Sequence, residues 1–556
     1  MIRICCFFLS TALACMLILS GCSTTNTSTQ EEQAPTAKQG KVSLVVQDRG
    51  QVASSEGSYE QNRWTRWILQ HGPVDVQFVP VLRSESKKIL NVMFASGSAP
   101  DLINETNAAF RNYLYEQNQL QPFDELLDYM PHYKALLEQY PQLRKAGTKS
   151  DGKLYEIGRI NEANPLHAMF IRQDWLDALG LEMPTTTEEL LEVALAFAAQ
   201  DPDQNGLDDT YGMNISYNSE GAINEMFGVQ QNHSWGWQDG QIVRQWEKEL
   251  HALEFKKRLY DLNIIDKEFM NDKDGSKAKQ DFLNGKIGIY VNHSLNWVKF
   301  TINDLQKLKA NDPHAVLQPL EYPLSPTGRY TGAIDNPVQM TTVLNASAAD
   351  PVAAAKYIDF ILEPSTTQML LKGEEHEHWV QGEHGCPVYT DINKWQIEVG
   401  YASTGAYSLF LSKGTNPCNF VINQFNAEDP VQQEALQLYQ KTRELYMDSS
   451  KQYPGITLGD YVPSLPAELD VLHTQLQTDI QHLYIKAIIG GEAYPAAQAI
   501  EDAKTLWSAK GGEQIVAYMN EWYESNKGTA FLAEDLWTIV DQQQQLLQSA
   551  MHVQPE

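Results

Sequence analysis

Between Asp201 and Asp209 the chain reads Asp-Pro-Asp-Gln-Asn-Gly-Leu-Asp-Asp. Oxygen donors recur at alternate positions: the side chains of Asp201, Asp203, Asn205 and Asp209 and the carbonyl of Leu207. Gly206 stands where such a loop must turn sharply. Hard oxygens in this pattern can wrap one hard dication, as the calcium loop of an EF-hand does. Gly212 stands where that loop carries its bidentate Glu, so the site is short of oxygens. The spacing still favours a structural Ca2+ over a bare solvated turn.

Other candidate chemistry is thinner. The run Glu374-Glu375-His376-Glu377-His378-Trp379 sets two imidazoles two residues apart, and His384 follows, but no second cluster with metal-ligand spacing completes a zinc site. With 71 acidic side chains, no carboxylate pair stands out as a glycosidase dyad. No Gly-x-Ser-x-Gly elbow, His-Glu-x-x-His or phosphate-binding glycine loop occurs, so nothing points to an enzyme. The aromatics say more. Trp64, Trp67, Trp235, Trp237, Trp297 and Trp379 fall in loops or near the ends of expected elements. Indole faces stack on the apolar faces of pyranose rings, although any one of these is more often core filler. Trp175, on the apolar face of its helix, is core. The loop Asn232-His233-Ser234-Trp235-Gly236-Trp237 is the best aromatic candidate. Arg49, Arg159 and Arg172 suit a uronate carboxylate through bidentate bonds, and equally suit structural ion pairs.

These residues need a scaffold. Arg172–Leu181 reads as an amphipathic helix; Pro184 breaks the chain, and Thr186 with Glu189 forms a capping box. The helix that follows, with Leu190, Leu191, Leu195 and Phe197 inward, delivers the chain into the cation loop. Upstream, strands at Lys41–Val46, Val74–Phe78 and Ala99–Ile103 alternate with helices around Trp64–Leu69 and Ser84–Ser96. That order requires a parallel sheet with right-handed crossovers. Asp151-Gly152 turns into another strand. Asp350-Pro351 starts a helix that buries Ala355, Ile358 and Leu362. Leu476–Gly490 and Trp507–Asn520 read as long amphipathic helices.

A chain of 556 residues exceeds one ordinary core, so two or more lobes are expected. A net charge of −29 argues against nucleic acid and against an anionic membrane surface as partners. Residues 1–21 carry Arg3, an apolar run from Ile4 to Leu19, and then Ser20-Gly21 before Cys22. This resembles a signal peptide ending in a lipobox, with Cys22 lipidated (palmitate among its acyl chains) as the membrane anchor. A plain transmembrane helix is the alternative, disfavoured by the small residues before Cys22 and the polar tail after it. Residues 22–40 form the lipidated Cys and a flexible tether. The protein is therefore expected outside the cytoplasmic membrane. Export leaves Cys386 and Cys418 as the pair able to form a disulfide there; two separate buried thiols remain equally open.

As an ordered whole, Ile171–Gly212 resembles the extracellular solute-binding lipoproteins of carbohydrate ABC importers (family 1 type), in the branch that includes oligosaccharide and alginate-oligosaccharide binders. So do Ala95–Asp101 (small-Gly-x-x-Pro-Asp), Asp151–Tyr155 (Asp-Gly-Lys-x-Tyr) and Phe282–Tyr290 (FLNGKIGIY). Gly373–Trp379 resembles the family's Gly-x-Glu-Gly-x-x-Trp loop but carries His376 in place of the second Gly. The resemblance covers residues 41–525. It implies an α/β, two-lobed periplasmic-binding-protein-like (type II) fold with a mainly parallel sheet in each lobe, a ligand cleft between the lobes and extra C-terminal helices. Lobe one is expected over 41–160 and 316–385, lobe two over 161–315 and 386–525, and an extension over 526–556. The implied function is capture of a carbohydrate, an oligosaccharide, by a monomeric lipoprotein that delivers it to ABC permease subunits without catalysis. Trp64, Arg159, Trp235, Trp237, Asn292, Trp297 and Trp379 are the expected ligand-facing residues, with His293 beside Asn292. Two rival readings share the composition or the fold: a surface-anchored polysaccharide hydrolase or lyase, and a ligand-sensing partner of a membrane kinase.

Overall fold

The computed structural model describes residues 38–216, 219–230, 234–293, 299–382, 386–426 and 428–552 of the chain. Cys22, Asn232, His233, Trp297 and His384 lie outside them. The strands, in chain order, are β1 (Lys41–Asp48), β2 (Asp75–Leu82), β3 (Leu102–Asn104), β4 (Leu120–Gln121), β5 (Glu156–Ile160), β6 (His167–Arg172), β7 (Tyr211–Met213), β8 (Trp235–Gln238), β9 (Gln241–Arg244), β10 (Ile287–His293), β11 (Leu317–Leu320), β12 (Val338–Asn345), β13 (Trp379–Gln381) and β14 (Pro387–Tyr389).

Two sheets organise ten of them, and β8 with β9 and β13 with β14 form separate hairpins. The first runs β2-β1-β3-β12-β4, with β5 also paired to β12. β1 is parallel to β2 and to β3, as helical crossovers demand. β12 returns from the second sheet and so runs antiparallel to β3, β4 and β5. The second sheet runs β11-β6-β10-β7. Here the expectation of a mainly parallel sheet fails: β6 is antiparallel to β10 and β11, and the parallel pair is β10 with β7. β6 brings the chain into this lobe and β11 takes it out, so they run in opposite directions. Because β11 belongs to the second sheet, the return to the first lobe comes later than residue 316.

Local signals made these elements. Thr186 Oγ1 accepts from the Glu189 amide, and the Glu189 carboxylate accepts from the Thr186 amide. Asn62 and Thr65 form a second capping box before the helix Arg63–His71, and Asp350 caps the helix Pro351–Leu362.

Each sheet has its own core. The first gathers Leu44, Leu102, Ile157, Leu344 and Ile358, but also Tyr401, Tyr407 and Phe410 from a segment expected in lobe two, and Phe531, Leu536 and Ile539 from the expected extension. The second gathers Phe170, Trp175, Leu190, Phe197, Ile289, Leu317 and Tyr446. A third cluster packs the β8–β9 hairpin onto the helices Ala467–Ile489, Ala496–Lys510 and Glu513–Asn526, through Trp235, Ile242, Leu476, Trp507 and Met519. Each large apolar side chain fully buried in this way contributes about 1.5–3 kcal/mol.

Polar contacts fix the crossings between sheets. Gln543, on the helix Ala533–His552, accepts from the Ala163 amide at 2.8 Å and donates to the Asn161 carbonyl at 2.7 Å and the Gly414 carbonyl at 3.2 Å. Cys386 and Cys418 form a disulfide with their Cα atoms 5.2 Å apart. Among the described residues no helix is long and apolar enough to cross a membrane.

Candidate functional site

Ligands of open α/β sheets bind at the carboxyl ends of the strands. β1 ends at Asp48, beside Leu82 of β2, so Arg49 and Arg83 follow at one edge of the first sheet. β5 ends at the same edge, with Arg159 in register with Gln339. Arg159 donates from Nε and Nη2 to Gln339 Oε1 at 3.1 and 2.8 Å, which aims its guanidinium without neutralising it. The segment 412–414 is fastened to the end of β5: the Ile160 amide donates to Ser412 Oγ at 2.9 Å, and the Lys413 amide to the Ile160 carbonyl at 3.0 Å. Gly405, at φ +89°, has a conformation that suits glycine, and a Cβ there would lie 3.5 Å from Arg159 Nη1.

The electrostatics of this edge are unusual. Burial, then Arg49 and Arg83, push the Arg159 guanidinium down to about 10. Burial, then Arg159, Lys372 and Arg49, push the Lys413 ammonium down to about 8. Lys372 is pushed to about 8 by burial, and Arg49 is lowered by burial and Arg83. Among the described residues no carboxylate acts on Arg49, Arg159 or Lys413. Arg49 Nε is buried with no hydrogen-bond partner among the described residues. Lys372 Nζ reaches Tyr389 Oη at 3.5 Å, and the Tyr389 ring lies 4.7 Å from that of Trp395. The Trp395 indole N–H is likewise buried and unpartnered.

The aromatic expectations fare unevenly. Trp64 is 1% exposed, packed in the first core, with Nε1 donating to the Glu398 carbonyl at 2.6 Å. Trp379 is 3% exposed and donates to the Gly373 carbonyl at 2.9 Å. Both are corrections: their ring faces are covered by protein and their N–H groups satisfied internally, so neither offers a stacking surface. Trp235 is buried between His473 and Trp507 in the third cluster, another correction. Trp237 is 40% exposed, edge-on to Tyr523. Asn292 is buried on β10, and its Nδ2 has no hydrogen-bond partner among the described residues. Arg172 is a structural pair member, bonded to Asp174 at 2.5 Å and Asp312 at 2.6 Å. Sequence reasoning missed Lys372, Tyr389, Trp395 and Lys413. One signal was present: Lys413 is the only charged side chain between Glu398 and Glu428.

The Asp201–Asp209 loop brings its carboxylates together. Asp201 accepts from the Asn205 and Gly206 amides at 3.1 and 3.0 Å. Asn205 Nδ2 donates to Asp203 at 2.8 Å and to Asp209 at 3.2 Å, and Lys286 pairs with Asp209 at 2.7 Å. Burial, with Asp201 and Asp209 close by, raises the Asp203 carboxyl. Lys286 in turn lowers the Asp209 carboxyl; the donors are the hard oxygens a calcium loop uses, held here by the loop's own amides and by Lys286 and not drawn to metal-ligand distance of one another.

The histidine run behaves differently. Glu377, His378 and Glu398 approach one another, but Arg63 lies 2.6 Å from Glu398 and Lys394 lies 3.0 Å from Glu377. His378 Nε2 is 3.1 Å from Glu398. Protein cations already supply the positive charge a metal would bring.

Residues 57–368 match the family described as bacterial extracellular solute-binding protein. The chain is 24% identical to lipoprotein LipO of Bacillus subtilis (strain 168), over 93% of this chain and 97% of that protein. It is 26% identical to the polygalacturonan/rhamnogalacturonan-binding protein YtcQ of the same organism, over 69% of this chain and 76% of YtcQ. Its fold is similar to a crystal structure of the alginate-binding protein AlgQ2 determined without calcium ion, with a TM-score of 0.62 at 18% identity, covering 89% of this chain and 100% of that one. Two sheets with separate cores, joined by crossings at 160–167 and 320–338, agree with that family match over more than half the sequence, and the chain belongs to the bacterial extracellular solute-binding proteins.

Proposed function

We propose that this protein is a non-catalytic receptor that binds a carbohydrate between its two lobes, outside the cytoplasmic membrane, and hands it to the permease subunits of an ABC importer. The observation that carries the reading is the family match across residues 57–368, joined to similarity along nearly the whole chain to a named lipoprotein and, over much of it, to a polysaccharide-binding protein. The half-buried edge of the first sheet supports it, since Arg159, Gln339 and Arg49 offer forked donors and Trp395 with Tyr389 offers ring faces. Lipid on Cys22 would hold a single copy of the protein at the membrane. Asp201, Asp203, Asn205, the Leu207 carbonyl and Asp209 would hold Ca2+, which would neutralise the carboxylates gathered in that loop.

The test is incubation of the full chain with excess oligosaccharide, followed by mass spectrometry of the sugar and calorimetric titration. One equivalent bound and returned unchanged supports a receptor. Steady accumulation of shorter or unsaturated products would make the protein a hydrolase or lyase and end this reading.

A further inference from the structure

We propose that the bound solute is an acidic carbohydrate, and that a uronate carboxylate seats among Arg49, Arg159 and Lys413. The inference rests on the carbohydrate reading above and adds the charge of the ligand.

The argument starts from an imbalance. Acidic side chains outnumber basic ones 71 to 42 in this protein, and elsewhere its buried cations are matched. Arg111 meets Glu156 at 2.8 Å, Arg244 meets Glu249 at 2.9 Å and Arg172 meets two aspartates. At the carboxyl edge of the first sheet the rule reverses. Arg49, Arg159 and Lys413, with Lys372 and the exposed Arg83 beside them, come from five separate stretches of chain, and among the described residues no acid acts on Arg49, Arg159 or Lys413. Gathering like charges in a partly dry crevice is unfavourable unless something of opposite sign arrives. None of the described residues supplies it, so the ligand does.

The geometry narrows the ligand. Gln339 takes Nε and Nη2 of Arg159, leaving Nη1 for a further acceptor. Arg49 Nε is buried and has no hydrogen-bond partner among the described residues. Guanidinium forks and one ammonium suit a planar carboxylate. Lys372 links this cluster to Tyr389 and Trp395, whose rings supply the apolar face that a pyranose needs and whose free indole N–H suits a hydroxyl. A carboxylate on a sugar ring satisfies both halves at once.

The test titrates the full chain in detergent with a uronate trisaccharide, its methyl ester and the corresponding neutral trisaccharide, at low and high salt. The uronate is expected to bind about 10- to 100-fold more tightly than the ester or the neutral sugar, the worth of charge-assisted hydrogen bonds, and to weaken as salt rises. Arg159→Gln and Lys413→Gln should each bring the affinity for the uronate down toward that for its ester. The ester comparison needs no substitution and so stands even if a variant folds poorly. Equal affinity for the three sugars, or binding of the neutral one alone, overturns the acidic assignment while leaving carbohydrate capture intact. Binding of inorganic phosphate or an acidic peptide, with no sugar bound, overturns both.

Discussion

Replacing Lys413 by Met should stabilise the free protein, and by an amount that depends on pH in a defined direction. In the folded chain the ammonium is pushed from 10.5 down to about 8, first by burial and then by Arg159, Lys372 and Arg49. At about 1.36 kcal/mol per pKa unit, that difference sets a ceiling of roughly 3 kcal/mol. Lys413 is partly open to solvent, and screening reduces the figure to about 1–2 kcal/mol. The sign follows from proton binding. The unfolded chain holds this proton more tightly than the folded one, so the penalty is fully present below pH 8, fades between about 8 and 10.5, and is gone above that. Methionine carries no charge at any pH, so its extra apolar contact shifts all values equally and the pH-dependent part reports the charge alone. Urea unfolding of wild type and variant at pH 7, 9 and 10.5 measures this. The variant's advantage should shrink by about 1–2 kcal/mol between the first and last points. A constant gap across that range would mean that Lys413 is neutralised by a partner, and the reasoning from an uncompensated cluster would fall. Saturating uronate should reverse the order of stability at pH 7, because only wild type keeps the complete seat.

Four further outcomes are expected. Calcium should raise the melting temperature by several degrees at concentrations far above its dissociation constant, and Asp203→Ala should abolish the rise; identical melting in calcium and in chelator would leave only a hydrogen-bonded turn. Replacing both Cys386 and Cys418 by Ser should lower the unfolding free energy by about 3–4 kcal/mol, since the bond closes a loop of 32 residues; no change in the denaturation midpoint would show that the loop is already ordered in the unfolded chain. Cys22→Ser should abolish fatty-acid labelling with the melting temperature unaltered, and a labelled variant would place the anchor elsewhere. Trp395→Ala should cost sugar affinity with a smaller loss of stability, since Trp395 packs against the first core only in part, whereas Trp64→Ala should cost about 3–5 kcal/mol of stability through the cavity left in that core; the opposite pattern would exchange their roles.

What could be read from the residues alone was what is local. Thr186 and Glu189 announce a helix start because both partners of the capping box lie within one turn. The alternation in Val74–Phe78 announces a strand because burial on one face needs only nearest neighbours. The Asp201–Asp209 spacing sets its carboxylates close together for the same reason. The direction of β6 against β11 was not legible, because it depends on where the chain leaves the lobe more than a hundred residues later. The tryptophans failed for a related reason: the sequence around Trp64 does not reveal that Glu398 will supply a carbonyl to its N–H. The cationic edge was half visible. Arg49 and Arg159 are able to fork a carboxylate, but their lack of counter-ions among the described residues is a property of segments meeting in space, and a sequence rich in acids hides it.

The first core carries a consequence for the birth of the protein. β1 is made before the other described strands, yet the hydrophobic surface it shares with Leu102 and Ile358 is closed by Tyr401, Phe410, Phe531, Leu536 and Ile539, all made long after it. Gln543, later still, ties the crossing at Asn161 and Ala163. A chain emerging amino end first therefore has no finished first lobe until the helix Ala533–His552 brings Leu536 and Ile539 to that core. Removal of the helix Ala533–His552 is thereby a defect of the first lobe.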